Sequence, residues 1–421
     1  QQVFGIKELW GIDFFWIAAI GLVVLTALYT IFGGMKSVLY TSVLQTPILL
    51  LGSLIILVLG FKELGGWDEM MRVCGAVTVN DYGDAMTNLI RSNDDANFPW
   101  LGALIGSAII GFWYWCTDQF IVQRVLSGKN EKEARRGTIF GAYLKLLPVF
   151  LFLIPGMIAF ALHQKYIGAG GEGFLPLLAN GTANADAAFP TLVAKLLPAG
   201  VKGLVVCGIL AALMSSLASL FNSSAMLFTI DFYKRFKPET PEKKLVGIGQ
   251  IATVVIVILG ILWIPIMRSV GDVLYTYLQD VQSVLAPGIA AAFLLGICWK
   301  RTSAKGGMWG LIAGMIIGLT RLGAKVYYSN AAVTDSSMFK YLFYDLNWLF
   351  FCGWMFLFCI VVVIVVSLMT EAPSAEKIQG LVFGTSTPEQ KAATRASWNH
   401  WDIIHTVIIL AITAAFYWYF W

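Results

Sequence analysis

Long apolar stretches separated by short polar ones make up most of the chain. Ten of them are close to the roughly 20 residues that a helix needs to cross the hydrocarbon layer of a membrane. They are continuous and do not alternate between apolar and polar positions, which favours helices over the strands of a membrane barrel. The predicted spans cover residues 13–32, 38–61, 101–125, 139–163, 203–232, 246–267, 270–299, 308–328, 346–370 and 403–421. The pattern therefore predicts an all-α polytopic membrane protein.

The composition agrees with this prediction. Of the 421 residues, 58% are hydrophobic and 13% are charged, whereas about 25% of a soluble protein is charged. The net charge of +4 is small and dispersed, which argues against a nucleic-acid partner. An enzyme would need a cluster of nucleophile, base or metal ligands, but His163 lies far along the chain from His400 and His405. We expect a multi-pass protein of the cell membrane, plasma or inner, in contact with the lipid bilayer, and not an enzyme.

Basic residues concentrate in one set of alternate loops. Sixteen of the 29 lysines and arginines lie in five loops on one side, while the opposite side includes the acidic segment 62–100. The positive-inside rule makes the basic set cytoplasmic, so both ends of this chain are predicted to lie outside. The outer segment 164–201 is rich in glycine and proline and is expected to fold across the outer face. The polar inner segment 371–402 is expected to link a last, separate helix.

Two of the charged residues inside predicted spans flank one loop. Asp118 and Lys145 are equally far from the loop between the third and fourth spans, about 12 Å deep at 1.5 Å per residue. Charges at such a depth are costly and mark a functional site by default. The two either neutralise each other between helices or line a cavity in which Lys145 donates hydrogen bonds to a polar ligand.

An aromatic run, residues 112–115, lies beside Asp118. Aromatic rings with a polar edge suit the apolar face of a sugar ring, or can close a cavity as a gate. The alternative is an aromatic belt at the membrane interface, but the run is predicted to be too deep for that.

The fifth span contains a face of small polar residues. Ser215, Ser219 and Asn222 share this face at helical spacing, with Ser216 beside it. Such residues either let two membrane helices approach closely or supply oxygen ligands to a small cation such as sodium. Spacing alone leaves both interpretations open.

The seventh span also carries polar residues in the membrane. Gln279, Asp280 and Gln282 precede Pro287. A proline there leaves upstream carbonyls free and allows the helix to bend.

Several short strings of residues, in order and covering nearly the whole chain, resemble the sodium:solute symporter family, and most of all its sodium/glucose cotransporter branch. The strings occupy residues 26–30, 33–34, 113–119, 121–124, 143–146, 214–217, 277–279 and 293–296. The resemblance implies a leucine-transporter-like core of two inverted five-helix repeats, which binds sugar and sodium near the bilayer midplane.

The resemblance also implies roles for individual residues. Tyr114 would be an inner gate that stacks on the sugar, and Lys145 and Gln279 would hydrogen-bond its hydroxyls. The predicted substrate-binding residues are Tyr114, Trp115, Asp118, Lys145, Gln279 and Gln282. The predicted sodium ligands are the carbonyl of Ala212 and the hydroxyls of Ser215 and Ser216.

The chain departs from the family pattern at four places. Thr41-Ser42 stands where many members have Thr-Asp, and Ala218 replaces a hydroxyl that would help a second sodium, so we expect one sodium per sugar. Gly111 replaces a polar residue of some relatives and leaves the sugar open. The first span resembles the fifth helix of the fourteen-helix form, so this chain is expected to be N-terminally incomplete and only part of a working transporter.

Placed against the family, the chain divides into four parts. Residues 1–299 would form the transporter core, 300–370 two peripheral helices, 371–402 the cytoplasmic linker and 403–421 the final helix. The predicted function is sodium-coupled symport of a monosaccharide of the glucose or galactose type by alternating access. Symport of another small solute, such as inositol or sialic acid, and a sugar sensor that does not transport are the alternatives.

Overall fold

The structure is a computed structural model that describes residues 3, 5–178, 181–268, 274–330 and 336–421. Two short antiparallel strands, β1 (Glu8–Leu9) and β2 (Ile12–Asp13), form a hairpin that the sequence had not predicted. The helices are α1 (Phe14–Leu64), α2 (Trp67–Gly75), α3 (Trp100–Cys116), α4 (Gln119–Leu126), α5 (Glu131–Pro148), α6 (Ile154–Gly168), α7 (Ala188–Leu196), α8 (Ala199–Met226), α9 (Lys234–Phe236), α10 (Glu242–Arg268), α11 (Leu274–Cys298), α12 (Ala304–Asn330), α13 (Met338–Lys340), α14 (Trp348–Met369), α15 (Ala375–Ile378), α16 (Pro388–Ala396) and α17 (His400–Tyr419).

The membrane spans agree with the prediction from hydropathy. Among the described residues, nine helical segments are long and apolar enough to cross a membrane, and ten if the bent pair of α3 and α4 is one span. The predicted start of the seventh span, at residue 270, lies outside the described residues. The chain is a multi-pass membrane protein.

The first two predicted spans are not separated by a loop, contrary to the prediction. They form the continuous helix α1, 51 residues long. Residues 33–37 contain no proline, so every residue there can keep its backbone hydrogen bond. Tyr29 donates to the carbonyl of Met214, 2.8 Å away, and Ser42 contacts the next residue, Ser215. In a straight helix residues 29 and 42 would lie about 20 Å apart along the axis, so α1 must bend between them.

The fourth predicted span is also interrupted. A π-helical turn, Val149–Leu153, lies between α5 and α6. Its last bond runs from the N–H of Ile154 to the carbonyl of Val149, and the next residue, Pro155, has no N–H to donate. The wider turn therefore follows from the proline, and π-turns inside helices often occur at functional sites.

The chain forms two compact units. Unit 1 comprises residues 1–77, 85–87 and 143–273, and unit 2 comprises residues 78–84, 88–142 and 274–421. In unit 1 the outer segment 164–201 is folded, as predicted: Phe174 and Leu192 are buried in one apolar core with Leu64 and Ile158. The buried ring of His163 fixes this segment by accepting a 3.0 Å hydrogen bond from the N–H of Leu175.

Unit 2 is built around α11, α12 and α14. Glycines allow close approach: a Cβ on Gly314 of α12 would lie 3.0 Å from the Cα of Gly288 in α11. The inner segment 371–402 contains two short helices, α15 and α16. It is also tied to unit 2 by a 2.7 Å bond from the N–H of Phe383 to the carbonyl of Ile297.

The outer part of unit 2 is an acidic segment held by local hydrogen bonds. The side-chain amide of Asn80 donates to the carboxylates of Asp84 and Asp95, at 2.8 and 3.1 Å. Asp95 also accepts from the backbone N–H groups of Asn97 and Phe98, at 2.9 and 2.7 Å. These bonds place the segment directly before α3.

Candidate functional site

A pair of hydroxyls joins α1 to α8 within unit 1. The Oγ atoms of Ser42 and Ser215 share a hydrogen bond of 2.5 Å. Ser215 is buried, and Ser219, one turn further along, is fully buried. The predicted polar face of α8 is therefore turned into the unit, against α1.

The other predicted sodium ligands flank this pair on α8. Ala212 lies one turn before Ser215 and is half-buried, and Ser216 is exposed at the edge of the buried face. Ala218 is fully buried and offers no side-chain oxygen there. The arrangement gathers neutral oxygens, which suits a small hard cation that needs several oxygen ligands without a buried countercharge.

Lys145 lies elsewhere in unit 1, near the end of α5. Its side chain is exposed, and it stands one turn before the π-helical turn Val149–Leu153. The long cationic side chain of Lys145 therefore lies next to a local irregularity of the helix.

Asp118 does not lie within a helix, contrary to the prediction from hydropathy. The third span is broken at Thr117 and Asp118, and its two parts, α3 and α4, are bent by 48°. Asp118 is the N-cap of α4, where its carboxylate accepts a 3.0 Å bond from the N–H of Phe120. The cap satisfies a backbone donor that α4 would otherwise leave unpaired, and a negative charge is favourable at that end of a helix.

The break also changes the predicted depth of Asp118. Helix α3 has 17 residues and is about 26 Å long, close to the hydrocarbon thickness of about 30 Å. The predicted depth of about 12 Å assumed one unbroken helix through Asp118, and the break removes that assumption.

The aromatic run at the end of α3 has two parts. Phe112 and Trp113 pack on the apolar core of unit 2, and the ring of Phe112 lies 6.0 Å from that of Phe293 in α11. Tyr114 and Trp115 are in edge contact at 5.3 Å, with Tyr114 half-buried and Trp115 exposed by 49%. The ring of Tyr114 also lies 6.2 Å from that of Trp113, so Tyr114 joins the packed part of the run to the exposed Trp115.

Gln279 and Gln282 lie in the first half of α11 and are half-buried. Between them Asp280 forms an ion cluster with two residues of α12, Arg321 and Lys325. Arg321 is fully buried, lies 3.5 Å from the carboxylate, donates to the carbonyl of Leu346 at 2.9 Å and stacks over a phenylalanine ring. The cluster fixes the helix segment that carries both glutamines.

The cluster and Ser42 were not among the predicted site residues. Ser42 had been noted only as a departure from the family pattern, and its contact with Ser215 becomes visible only when α1 and α8 pack. Arg321 and Lys325 are four residues apart and so lie on one face of α12. That spacing within an apolar span is a sequence feature that could have indicated a buried acidic partner.

The predicted residues divide between the units. Unit 1 holds Lys145, Ala212, Ser215 and Ser216, and unit 2 holds Tyr114, Trp115, Asp118, Gln279 and Gln282. In unit 2 the structure brings predicted residues onto two neighbouring helices, α3 and α11. In unit 1 the predicted sodium ligands all lie on α8, whose neighbour α1 carries Ser42.

Comparison with known proteins extends this picture. The model of the sodium:solute symporter family matches residues 4–314. The chain is 35% identical to the sodium/myo-inositol cotransporter 2 of Homo sapiens over 381 residues, which are 88% of this chain and 56% of that protein. It is 34% identical to the sodium/mannose cotransporter SLC5A10 of Bos taurus over 428 residues, covering 96% of this chain and 72% of that protein. The chain thus spans little more than half the length of the inositol cotransporter.

A solved structure shares the fold. It is a substrate-bound, outward-open sodium-coupled sialic acid symporter, with a TM-score of 0.66 and 22% sequence identity. The match covers 89% of this chain and 70% of that one. The predicted leucine-transporter-like fold is therefore confirmed.

Proposed function

The chain belongs to the sodium:solute symporter family, and on that basis we propose that it is a secondary active transporter in which sodium drives the uptake of a monosaccharide of the glucose or galactose type. The observation that carries the proposal is the contact between Ser42 and Ser215, which gathers hydroxyl oxygens between α1 and α8. This is where the predicted sodium ligands lie.

Sodium is held by oxygens of α8. The carbonyl of Ala212 and the hydroxyls of Ser215 and Ser216 are its ligands, and Ser215 exchanges its bond with Ser42 for one to the ion. A hydroxyl has one proton and two lone pairs, so Ser215 can offer its oxygen to the ion and still donate its proton to a carbonyl of its own helix. Because Ala218 adds no oxygen, one sodium accompanies each sugar.

The sugar is held by aromatic and amide side chains together with a lysine. Tyr114 stacks on the ring with Trp115 beside it, because aromatic faces cover the C–H face of a sugar while its hydroxyls stay available. Gln279 and Gln282 offer amide donors and acceptors. Lys145, which belongs to unit 1, is included on the family resemblance alone and offers three N–H donors. Asp118 caps α4 and thereby holds the end of α3 that carries the aromatic pair.

Transport follows from coupled binding. Sodium enters from outside and favours the outward-open form, sugar binds, and the closed form is most stable with both ligands present. The core then rocks, Tyr114 moves, and both ligands leave to the cytoplasm. Each ligand must bind one conformational state of the transporter more tightly than the others. A ligand with equal affinity for all states would not shift the equilibrium between them.

The test is uptake of labelled sugar into proteoliposomes by the full-length gene product, with sodium and sugar varied separately. We expect Ser215→Ala and Ser216→Ala to raise the half-saturating sodium concentration about tenfold, which corresponds to about 1.4 kcal/mol. Lys145→Ala is expected to raise the KM for sugar by about tenfold or more, because hydrogen bonds to charged groups contribute roughly 1.5–3 kcal/mol.

The matched control is Ser223→Ala on the same helix, whose hydroxyl bonds to the carbonyl of Leu220 in its own helix, at 3.0 Å. It should leave both constants unchanged. Sodium-driven uptake that is unaltered in Ser216→Ala and Lys145→Ala would remove these assignments, and accumulation that never exceeds equilibrium would indicate a sensor. A ratio of two sodium ions per sugar would contradict the role given to Ala218.

A second candidate substrate is myo-inositol. The observation in its favour is the similarity to an inositol cotransporter over 88% of this chain. Inositol is also a six-membered ring of hydroxyls, but it lacks the ring oxygen and the exocyclic CH₂OH group of an aldohexose. Competition between labelled glucose, galactose, mannose and inositol decides among them in the same vesicles.

A further inference from the structure

Unit 2 contains a cavity of about 830 Å³ between the end of α4, the start of α5 and the first turns of α17. Its walls are mainly apolar, with Val125, Leu126, Ile139, Ile403 and Val407 among the lining residues. The volume is in the range of pockets that enclose small-molecule ligands, about 300–1,000 Å³. None of the residues proposed for sugar or sodium lines it.

The polar part of the cavity is centred on Arg135. One terminal nitrogen of its guanidinium donates to the hydroxyl of Ser397, 3.2 Å away. Its Nε is buried and has no hydrogen-bond partner among the described residues. A buried guanidinium N–H without an acceptor is costly, so this group favours a ligand that brings an oxygen.

The charges around the cavity are mixed, with four basic residues against three acidic ones. Lys129, Lys132 and Arg136 are exposed on the same loop and helix start as Arg135, and the carboxylates of Glu131 and Glu133 lie among them. The carboxylate of Asp402, which also lines the cavity, is engaged as a helix cap by the N–H of Asn399, at 2.8 Å. Guanidinium groups bind phosphate oxygens through two parallel bonds, which makes a phosphate the fitting partner.

The final helix packs sparsely beside the cavity. Of the twenty described residues of α17, Asp402 is the one that is buried. The outer end is held by a 2.9 Å bond from the N–H of Leu89 to the carbonyl of Phe420. An apolar space beside a membrane helix is open to acyl chains, so a ligand with an acidic head and a hydrocarbon tail fits both parts.

We propose that this cavity binds an anionic phospholipid, with its phosphate on Arg135 and an acyl chain between α5 and α17. The basic loops predict that this side of the membrane is cytoplasmic, where basic pockets between helices bind anionic head groups. The lipid then connects α17 to the rest of unit 2 at the cavity, where few side chains of α17 pack against the unit.

The test is native mass spectrometry of the purified full-length protein with phosphatidylglycerol or phosphatidylcholine of identical acyl chains. We expect the wild-type protein to retain phosphatidylglycerol more strongly. In Arg135→Gln its retention should fall about fivefold, as expected for the loss of one basic residue. Arg136→Gln removes the same charge from the neighbouring exposed arginine, which does not line the cavity, and should reduce the retention less.

Two further variants separate the head-group site from the chain site. Ser397→Ala keeps the guanidinium of Arg135 and should therefore still retain phosphatidylglycerol. This variant can be measured even if Arg135→Gln does not fold. Thr138→Phe places a ring in the cavity and should reduce the retention of both lipids. Equal retention of the two lipids by the wild type, equal losses in Arg135→Gln and Arg136→Gln, or undiminished binding in Thr138→Phe would each overturn the proposal.

Discussion

Two helix interfaces are held together by different kinds of group. One joins α1 to α8 in unit 1, and the other joins α11 to α12 in unit 2. The first is joined by neutral groups: a hydroxyl pair, Ser42 and Ser215, and the bond from Tyr29 to a main-chain carbonyl. The second is joined by glycines in near contact and by Asp280 with its two cations.

The difference shows which interface can change at low cost. A hydroxyl that loses its partner can bond to its own helix or to an ion, so separation of α1 from α8 leaves little unsatisfied. Separation of α11 from α12 would leave charged groups unpaired in an apolar region, which is far more costly. We infer that unit 2 supplies a fixed scaffold and that the α1–α8 interface is the adaptable one.

The largest effect is expected from Asp280→Asn. The substitution leaves Arg321 and Lys325 close together without an acceptor charge, and breaking a buried pair costs about 3–5 kcal/mol. The measurement is the free energy of unfolding in detergent micelles. Lys325→Gln is the control and should cost less, because the Lys325 side chain is 34% exposed and Arg321 still pairs with the carboxylate. Equal stability of Asp280→Asn and the wild type would refute the scaffold role.

Gly318→Ala should have the next largest effect. A Cβ at this position of α12 would lie 2.8 Å from the carbonyl oxygen of Val284, so the backbone of α11 must shift. Overpacking of this kind costs about 1–3 kcal/mol. Gly323→Ala on the same helix meets no atom within 4 Å and should be neutral or stabilising by up to about 1 kcal/mol. If the thermal midpoints of Gly318→Ala and Gly323→Ala shifted in the same direction, that result would contradict the proposed close packing of α11 against α12.

Ser42→Ala should cost less, about 0.5–1.5 kcal/mol, the usual net contribution of one hydrogen bond. The hydroxyl of Ser215 can bond to its own helix when Ser42 is removed, which keeps the loss small. The same unfolding measurement applies. A loss as large as that of Asp280→Asn would show that the α1–α8 interface is as rigid as the scaffold.

The smallest effect is expected from pH, through the outer segment of unit 2. Hydrogen bonds from Asn80 and the N–H of Ser92 lower the pKa of Asp84. Burial raises the pKa of Asp95, but bonds from Phe98, Asn97 and Asn80 and the charge of Arg91 outweigh it, so this pKa is also lowered.

A carboxyl with a lowered pKa stabilises the folded state above its unfolded pKa of about 4, and the stability is lost as the pH falls through the folded pKa. The contribution to the thermal midpoint should therefore be constant from pH 8 to pH 5 and decline below about pH 4. Asp95→Asn should flatten that decline. A decline that begins above pH 6 would point to other groups.

The membrane architecture could be predicted from the sequence because it depends on local composition. Apolar stretches of about 20 residues predict helices wherever they occur, and the spacing of Ser215 and Ser219 correctly predicted one buried face. The break at Asp118 was missed because hydropathy averages over a window, although an aspartate can cap a helix as well as interrupt an apolar run.

Contacts between distant segments could not be predicted in the same way. Asp280 meets residues 41 and 45 positions further along the chain, and no local pattern indicates which of the charged residues will pair. The bend in α1 between Tyr29 and Ser42 could not be predicted either. It becomes evident only because both residues contact the same helix, α8. The assignment of roles to Tyr114 and Gln279 rests on family resemblance, because aromatic and amide side chains occur in many membrane helices without a ligand.

The ion cluster of Asp280, Arg321 and Lys325 also has an electrical consequence. One carboxylate and two cations leave one excess positive charge fixed within the membrane field, and moving such a charge across 100 mV changes the energy by about 2.3 kcal/mol. Because close packing holds α11 against α12, this charge can move only when both helices move together. A transient current recorded without sugar would then measure the displacement of the scaffold, separately from the current that sodium carries.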